Sequence, residues 1–114
     1  MKVIVGAIFL CWAACAQPNW VQLSPSTVPP ASEASVMAYD RAHQQIVMFG
    51  GVANSPTNGL TPADTWLWDG QNWNATSPAT KPAGRDRSCM IYDPRIQRVV
   101  MFGGTFFQDT QDHI

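Results

Sequence analysis

The chain alternates short apolar runs with polar turns. Residues 35–39 and Gln45–Phe49 flank the polar stretch 40–44, and this arrangement predicts a β-hairpin. The run 46–49 is apolar at every position, which is typical of a strand buried between two layers rather than of a surface strand.

A second pair of strands is predicted after a long loop, 52–63. Thr65–Trp68 places two tryptophans on one face of a strand, and Trp73–Thr76 follows the dipeptide Asp69-Gly70, a strong tight-turn signal. Five Trp, nine Pro and eight Gly also favour short strands and turns over helices. We therefore predict an all-β fold with four antiparallel strands in chain order.

The whole pattern occurs twice. Residues 19–51 and 72–104 align without a gap at a shift of 53, and sixteen of the thirty-three positions are identical. Chance would give about two identities at average residue usage. A unit of four antiparallel strands with two apolar faces is typical of a propeller blade, which must be covered by a blade on either side.

The repeated unit resembles the kelch repeat, whose period is about 50 residues. The resemblance is carried by a Gly-Gly doublet after an apolar strand, by the run Asp-Thr-Trp-Leu-Trp-Asp-Gly at 64–70, and by a further tryptophan. It covers essentially everything after Gln17 and is closest to bacterial proteins of the galactose oxidase-like propeller superfamily. It implies that a set of repeat residues is structural: Gly50, Gly51, Asp64, Trp66, Trp68, Gly70, Trp73, Gly103 and Gly104.

The resemblance implies a partial kelch-type β-propeller with four-stranded antiparallel blades. About two units are present, whereas the family has six or seven blades, so the chain needs further blades from a longer chain or from an oligomer. Gly84-Arg85 fits the kelch pattern in the second unit, and 31–32 departs from it in the first. We divide the chain into 1–16 as a signal peptide, 17–34 as an N-terminal outer strand and linker, 35–77 as the first blade, and 78–114 as a partial second blade.

The phase of the repeat suggests a truncated product. Residues 19–23 correspond to the fourth, outermost strand of a unit, so Trp20 is expected to belong to an absent blade. The third strand of the second unit is either missing or lost in 108–114.

The N-terminus is typical of an export signal. Lys2 precedes the uncharged, largely apolar stretch 3–14, which is too short to cross a bilayer as a helix. Ala14-Cys15-Ala16 matches a signal peptidase site, which predicts a mature chain that starts at Gln17 in the periplasm or outside the cell. Two alternatives stay open: a lipid anchor on Cys15, and a buried strand formed by the same apolar run.

Charge and cysteine content narrow the function further. Seven Lys and Arg against eight Asp and Glu give a formal net charge of -1, so there is no basic field for a nucleic acid partner. Cleavage after Ala16 leaves Cys89 as the single cysteine, which excludes an internal disulfide. Cys89 aligns with Val36, so we expect it to be a small buried hydrophobe.

The superfamily's copper radical oxidases use tyrosine, cysteine and histidine side chains. The corresponding residue types here are Tyr39, Tyr92, Cys89, His43 and His113. The two tyrosines are repeat equivalents, which indicates a role in every blade rather than in one site, and the turn histidine is expected to be solvated. No catalytic residue, metal or cofactor is therefore predicted.

One pair of acids also recurs in the repeat. Glu33 and Asp86 are repeat equivalents and could form a glycosidase-like pair, but surface loop acids are the simpler interpretation. Arg85 is expected to brace neighbouring blades through loop carbonyls, as the resemblance implies.

The longer loops, 52–63 and 78–87, are predicted to share one edge, which is the candidate binding face. We predict a non-enzymatic exported scaffold whose loops bind a protein or a glycan. The alternative is a fragment of a galactose oxidase-like or other carbohydrate-active enzyme whose catalytic residues lie in missing blades. The candidate ligand-facing residues are Asn54, Asn58, Thr61, Arg85, Asp86 and Arg87.

Overall fold

The computed structural model describes residues 19–53 and 63–105. These ranges are all-β, with antiparallel strands and no helix, as the sequence predicted. The strands are β1 (Ser32–Glu33), β2 (Val36–Asp40), β3 (Gln45–Phe49), β4 (Val52–Ala53), β5 (Thr65–Trp68), β6 (Trp73–Thr76), β7 (Cys89–Asp93) and β8 (Arg98–Phe102).

The first unit is a four-stranded meander in the order β2-β3-β5-β6. Val47 lies opposite Ala38 on one side and opposite Leu67 on the other, so the apolar run of β3 occupies an inner strand. This confirms the two predicted hairpins. β2 begins and ends one residue later than predicted because Asp40 pairs with Gln45 before the chain turns.

The second unit repeats the first hairpin in the same register. Cys89 lies opposite Phe102 in β7-β8, as Val36 lies opposite Phe49 in β2-β3. The turns match as well, since Gln44 and Gln97 both have a positive φ, 53° and 54°. The described strands form open sheets rather than a closed ring.

Each hairpin has two faces, because residues paired across antiparallel strands point to the same side. In the first unit, the Val36 face carries Val36, Ala38, Val47 and Phe49, and the Met37 face carries Met37, Tyr39, Ile46 and Met48. In the second unit, the equivalent Cys89 face carries Cys89, Ile91, Val100 and Phe102, and the equivalent Met90 face carries Met90, Tyr92, Val99 and Met101.

The two units stack through unlike faces. β2 lies beside β7. In the second hairpin the Met90 face holds the half-buried positions and the Cys89 face the exposed ones, and in the first hairpin the buried Phe49 lies on the Val36 face. Phe49 is only 3% exposed, whereas its equivalent Phe102 is 82% exposed. The Val36 face of the first unit therefore packs on the Met90 face of the second, and the core lies between them.

The segment before β1 crosses the Met37 face of the first unit. Ser26 donates hydrogen bonds from its backbone N–H and its hydroxyl to Asn72 Oδ1, both at 2.8 Å. Residues 19–31 form no strand, and Trp20 is fully exposed. The outer strand predicted over 19–23 thus stays a prediction. Between this segment and the sheet lies an apolar groove of about 350 Å³, lined by Leu23, Pro25, Val28, Ile46, Trp68 and Trp73.

The prediction that Cys89 is a buried residue of the core is wrong. Cys89 is an exposed free thiol. It belongs to the Cys89 face, which the described residues leave uncovered. Its equivalent Val36 is half-buried because the second unit covers it. Within 19–53 and 63–105, no helix is long and apolar enough to cross a membrane.

The turn between β2 and β3 is built on a buried carboxylate. Asp40 accepts hydrogen bonds from the backbone N–H groups of Ala42 and His43, and His43 Nδ1 lies 2.8 Å from Asp40 Oδ2. Burial acts to raise the pKa of Asp40, but the bonds from His43 and Ala42 outweigh it and hold the pKa below its usual value of 3.8.

This turn makes stability depend on pH. The folded-state pKa of Asp40 is depressed, so its contribution to stability is present above the pKa of the unfolded chain and is lost as the pH falls through the folded-state pKa. We expect His43→Ala to raise the pKa of Asp40 and to move acid unfolding to higher pH. Asp93, which is bound by Arg95 instead, serves as the internal control. NMR titration of the carboxyl carbons checks both groups, and an Asp40 pKa that does not move in His43→Ala would contradict this account.

Candidate functional site

The candidate site lies at one edge of both sheets, where the units are joined. We call it the loop edge and define it as residues 32–35, 50–53, 84–88 and 103–105. Backbone hydrogen bonds join the units here: Gly51 N–H donates to Arg85 O at 2.9 Å, and Arg87 N–H donates to Ala34 O at 3.1 Å. The two long loops of the sequence prediction both meet this edge, since 52–63 leaves it at Ala53 and 78–87 enters it.

The glycine doublets permit these close approaches. Gly50, Gly51, Gly103 and Gly104 all have a positive φ, between 66° and 102°. A Cβ at Gly104 would lie 2.7 Å from both Asp86 O and Ser88 Oγ. The second glycine of each doublet therefore makes room for the chain that pairs alongside it, as expected for glycine at such a position.

Asp86 is the most deeply buried polar residue of the described ranges, with 1% of its surface exposed. Its backbone pairs with Thr105 through two hydrogen bonds of 2.9 and 3.0 Å. Thr105 Oγ1 donates to Asp86 Oδ1 at 2.5 Å, and Arg87 Nη1 lies 2.7 Å from Oδ2. This ion pair lacks the directional geometry of a hydrogen bond.

This placement corrects the prediction that Asp86 faces a ligand as an exposed loop acid. Its repeat equivalent Glu33 is exposed, although Glu33 pairs with Val52 as Asp86 pairs with Thr105. Val52 has no hydroxyl to donate, so the first unit offers no hydrogen bond at this position to a buried acid. The two acids stand in unlike environments, and the buried one is already bound by protein groups.

The two arginines of the loop edge differ in how they are held. Arg85 donates from Nη1 to Gly103 O at 3.0 Å and from Nε to Ala83 O at 3.1 Å. Both carbonyls belong to its own unit, so the bracing of a neighbouring blade stays a prediction. Arg87 has a positive φ of 53° and is oriented by the buried Asp86, while 63% of its side chain remains exposed. Of the two residues, Arg87 is exposed and Arg85 is half-buried.

Three of the candidate ligand-facing residues, Asn54, Asn58 and Thr61, lie outside the described residues, as do the signal peptide 1–16, Gln17, the region 108–114 and His113. Two further repeat residues, Asp64 and Gly70, lie within the described ranges. Asp64 O accepts a hydrogen bond from Gly50 N–H at 3.3 Å, and Gly70 lies in the β5–β6 turn with a φ of 102°.

The three tryptophans of the first sheet pack rather than form an open platform, whereas Trp20 is fully exposed. Trp66, Trp68 and Trp73 are half-buried. The rings of Trp68 and Trp73 lie 5.5 Å apart at an angle of 49°, a favourable aromatic geometry.

The side chains that could suggest copper chemistry are dispersed. Cys89 and Tyr92 lie three residues apart on β7 and therefore point to opposite faces. His43 lies in the β2–β3 turn, beside Asp40. Among the described residues, no three His, Cys, Asp or Glu side chains are grouped as metal ligands.

The hydrogen bond between the buried Asp86 and the exposed Thr105 was not predicted from the sequence. The sequence carries one signal of this bond. The second unit has Thr105 where the first unit has Val52, so only the second unit has a hydroxyl at the position that pairs with the acid. Comparison with family models, with curated proteins and with solved structures finds no match for this chain. The fold and the loop edge therefore rest on the chain's own residues.

Proposed function

We propose that this chain is part of an exported kelch-type propeller that acts as a non-enzymatic binding scaffold. The proposal is supported by two repeat units that stack in the same direction and by a glycine-built edge at which their longer loops meet. Loops held by a rigid β scaffold are where binding residues are most often found. Export is supported by Lys2, the apolar run 3–14 and the Ala14-Cys15-Ala16 site.

Binding at the loop edge is supported mainly by Arg87, which is paired with a buried carboxylate and is still exposed. A buried carboxylate holds one end of its guanidinium, and most of the side chain stays exposed. A pre-oriented arginine loses less rotamer freedom on binding and presents a planar fork of donors to a carboxylate or to sugar hydroxyls. We therefore propose an acidic glycan or an acidic peptide segment as the ligand class.

The test is binding of the chain to an array of acidic and neutral oligosaccharides and acidic peptides. We expect binding to acidic members and a loss of about 10-fold in affinity for Arg87→Gln, since one charge-assisted contact is removed. Arg95→Gln is the matched control, because Arg95 is also exposed and paired with an aspartate but lies in the β7–β8 turn. Equal losses for both variants, or selective binding to neutral members, would contradict the proposal.

A further inference from the structure

Two apolar faces lie at the ends of the two-unit stack, and the described residues leave much of each uncovered. At one end, the Met37 face exposes Met37 to 56% and Tyr39 to 54%. At the other end, the Cys89 face exposes Ile91 to 69% and Phe102 to 82%. Contiguous exposed apolar surface of this kind marks an interaction site.

The chain itself contains the contact that would cover these faces. Inside the stack, the Val36 face of the first unit packs on the Met90 face of the second. The open Met37 face shares three of its four residue types with the covered Met90 face, and the open Cys89 face shares two of four with the covered Val36 face. Five equivalent pairs are identical in residue type: Met37 and Met90, Tyr39 and Tyr92, Met48 and Met101, Val47 and Val100, and Phe49 and Phe102.

The glycine doublets supply a second, independent observation. A Cβ at Gly50 would overlap Arg85 O, which belongs to the adjoining unit, whereas its equivalent Gly103 has no atom of the described residues within 4 Å of that position. Gly103 nevertheless keeps the positive φ, 74°. Gly103 thus has the same backbone conformation as the glycine that receives the adjoining unit in the first unit, and none of the described residues fills the receiving space.

From these observations we infer that a second copy of this chain docks head to tail, with its Met37 face on the Cys89 face of the first copy. The residue equivalent to Arg85 in the incoming copy is Ser32. Its carbonyl would occupy the space beside Gly103 and accept a hydrogen bond from Gly104 N–H, as Arg85 O accepts one from Gly51 N–H. The contact buries the apolar side chains that each copy exposes.

A contact between unlike faces is heterologous, so each added copy offers a new open face and assembly does not stop at two chains. Sedimentation equilibrium of the full chain is expected to show species larger than a dimer that grow with protein concentration. Strictly monomeric behaviour at every soluble concentration would overturn the inference, because the open faces then have another occupant or none.

Charge substitution on the Cys89 face tests the contact directly. Ile91→Asp places an unpaired charge in the interface and is expected to weaken association by at least about 30-fold, the scale of a hot-spot residue. Ile96→Asp is the matched control, since Ile96 is 56% exposed in the β7–β8 turn, outside both faces. Phe102→Asp repeats the test if Ile91→Asp does not fold, as judged by circular dichroism.

Mixing two variants tests the polarity of the contact. Tyr39→Asp blocks the Met37 face and leaves the Cys89 face intact, whereas Ile91→Asp does the reverse. Each variant alone is expected to be monomeric, and an equimolar mixture is expected to form a one-to-one dimer that grows no further. Undiminished association of Tyr39→Asp alone would show pairing of two like faces and would overturn the inference. Arg87 lies outside both faces, so this test and the ligand-binding test fail independently.

Discussion

Replacing Gly50 by alanine is expected to destabilise the protein by roughly 3 kcal/mol, the sum of backbone strain and overpacking. Gly50 has a φ of 66°, and a Cβ there would overlap the carbonyl oxygen of Arg85. That oxygen is backbone and accepts the hydrogen bond from Gly51 that joins the two units. Relief of the overlap therefore requires the units to move apart, which also loosens the cover over Phe49.

Gly103→Ala is the matched control because Gly103 is the repeat equivalent of Gly50, has a φ of 74° and has no atom of the described residues near its Cβ position. Only the backbone strain remains, which costs about 1 kcal/mol. Urea unfolding followed by tryptophan fluorescence, at a concentration low enough to avoid association, measures both variants. Equal losses of stability would show that the contact between Gly50 and Arg85 carries no weight.

Gly103→Ala has a separate consequence for assembly. Its Cβ would fill the space that the inferred contact assigns to a carbonyl of an incoming copy. The variant is therefore expected to lose association while keeping most of its stability. Gly50→Ala is expected to lose stability first.

The strands could be predicted from the sequence because their signals are local. The runs in β2 and β3, and the Asp69-Gly70 turn, each favour one structure whatever surrounds them. The alignment of the two units then predicted a repeated hairpin, and the structure has the same register in both copies.

The burial of individual residues could not be predicted in this way. Phe49 and Phe102 are identical in type and position within the unit, yet one is buried and the other is exposed. The difference depends on whether another unit lies against that face, and a single unit carries no information about its neighbours. Cys89 was predicted to be buried because it aligns with Val36. It is exposed because the described residues leave its face uncovered.

The candidate site was only partly predictable, because its polar contacts depend on single departures from the repeat. The sequence indicated that the two longer loops share one edge and that Arg85 binds loop carbonyls. It did not indicate that Asp86 is buried, since that depends on Thr105 nineteen residues away. A short-range pattern predicts where a loop begins, whereas the pairing of two side chains across an edge depends on tertiary packing.

Replacing Asp86 by alanine is expected to cost roughly 1.5 to 3 kcal/mol, the range for a lost hydrogen bond to a charged group. The Thr105 hydroxyl loses its acceptor, and Arg87 loses the carboxylate that orients it. Glu33→Ala is the control at the equivalent position, where the acid is exposed and the expected change lies within about 0.5 kcal/mol. Thermal or urea unfolding compares the two variants.

Thr105→Val separates the hydrogen bond from the rest of the effect, because it installs the residue type that the first unit has at this position, Val52. A double-mutant cycle of Asp86→Ala and Thr105→Val is expected to give a coupling of about 1 kcal/mol or more between these residues. If the two losses simply add, the Thr105 contact contributes nothing to holding Asp86. In that case the burial of Asp86 follows from its backbone pairing with Thr105, and Arg87 would be held at the loop edge by the strand geometry alone.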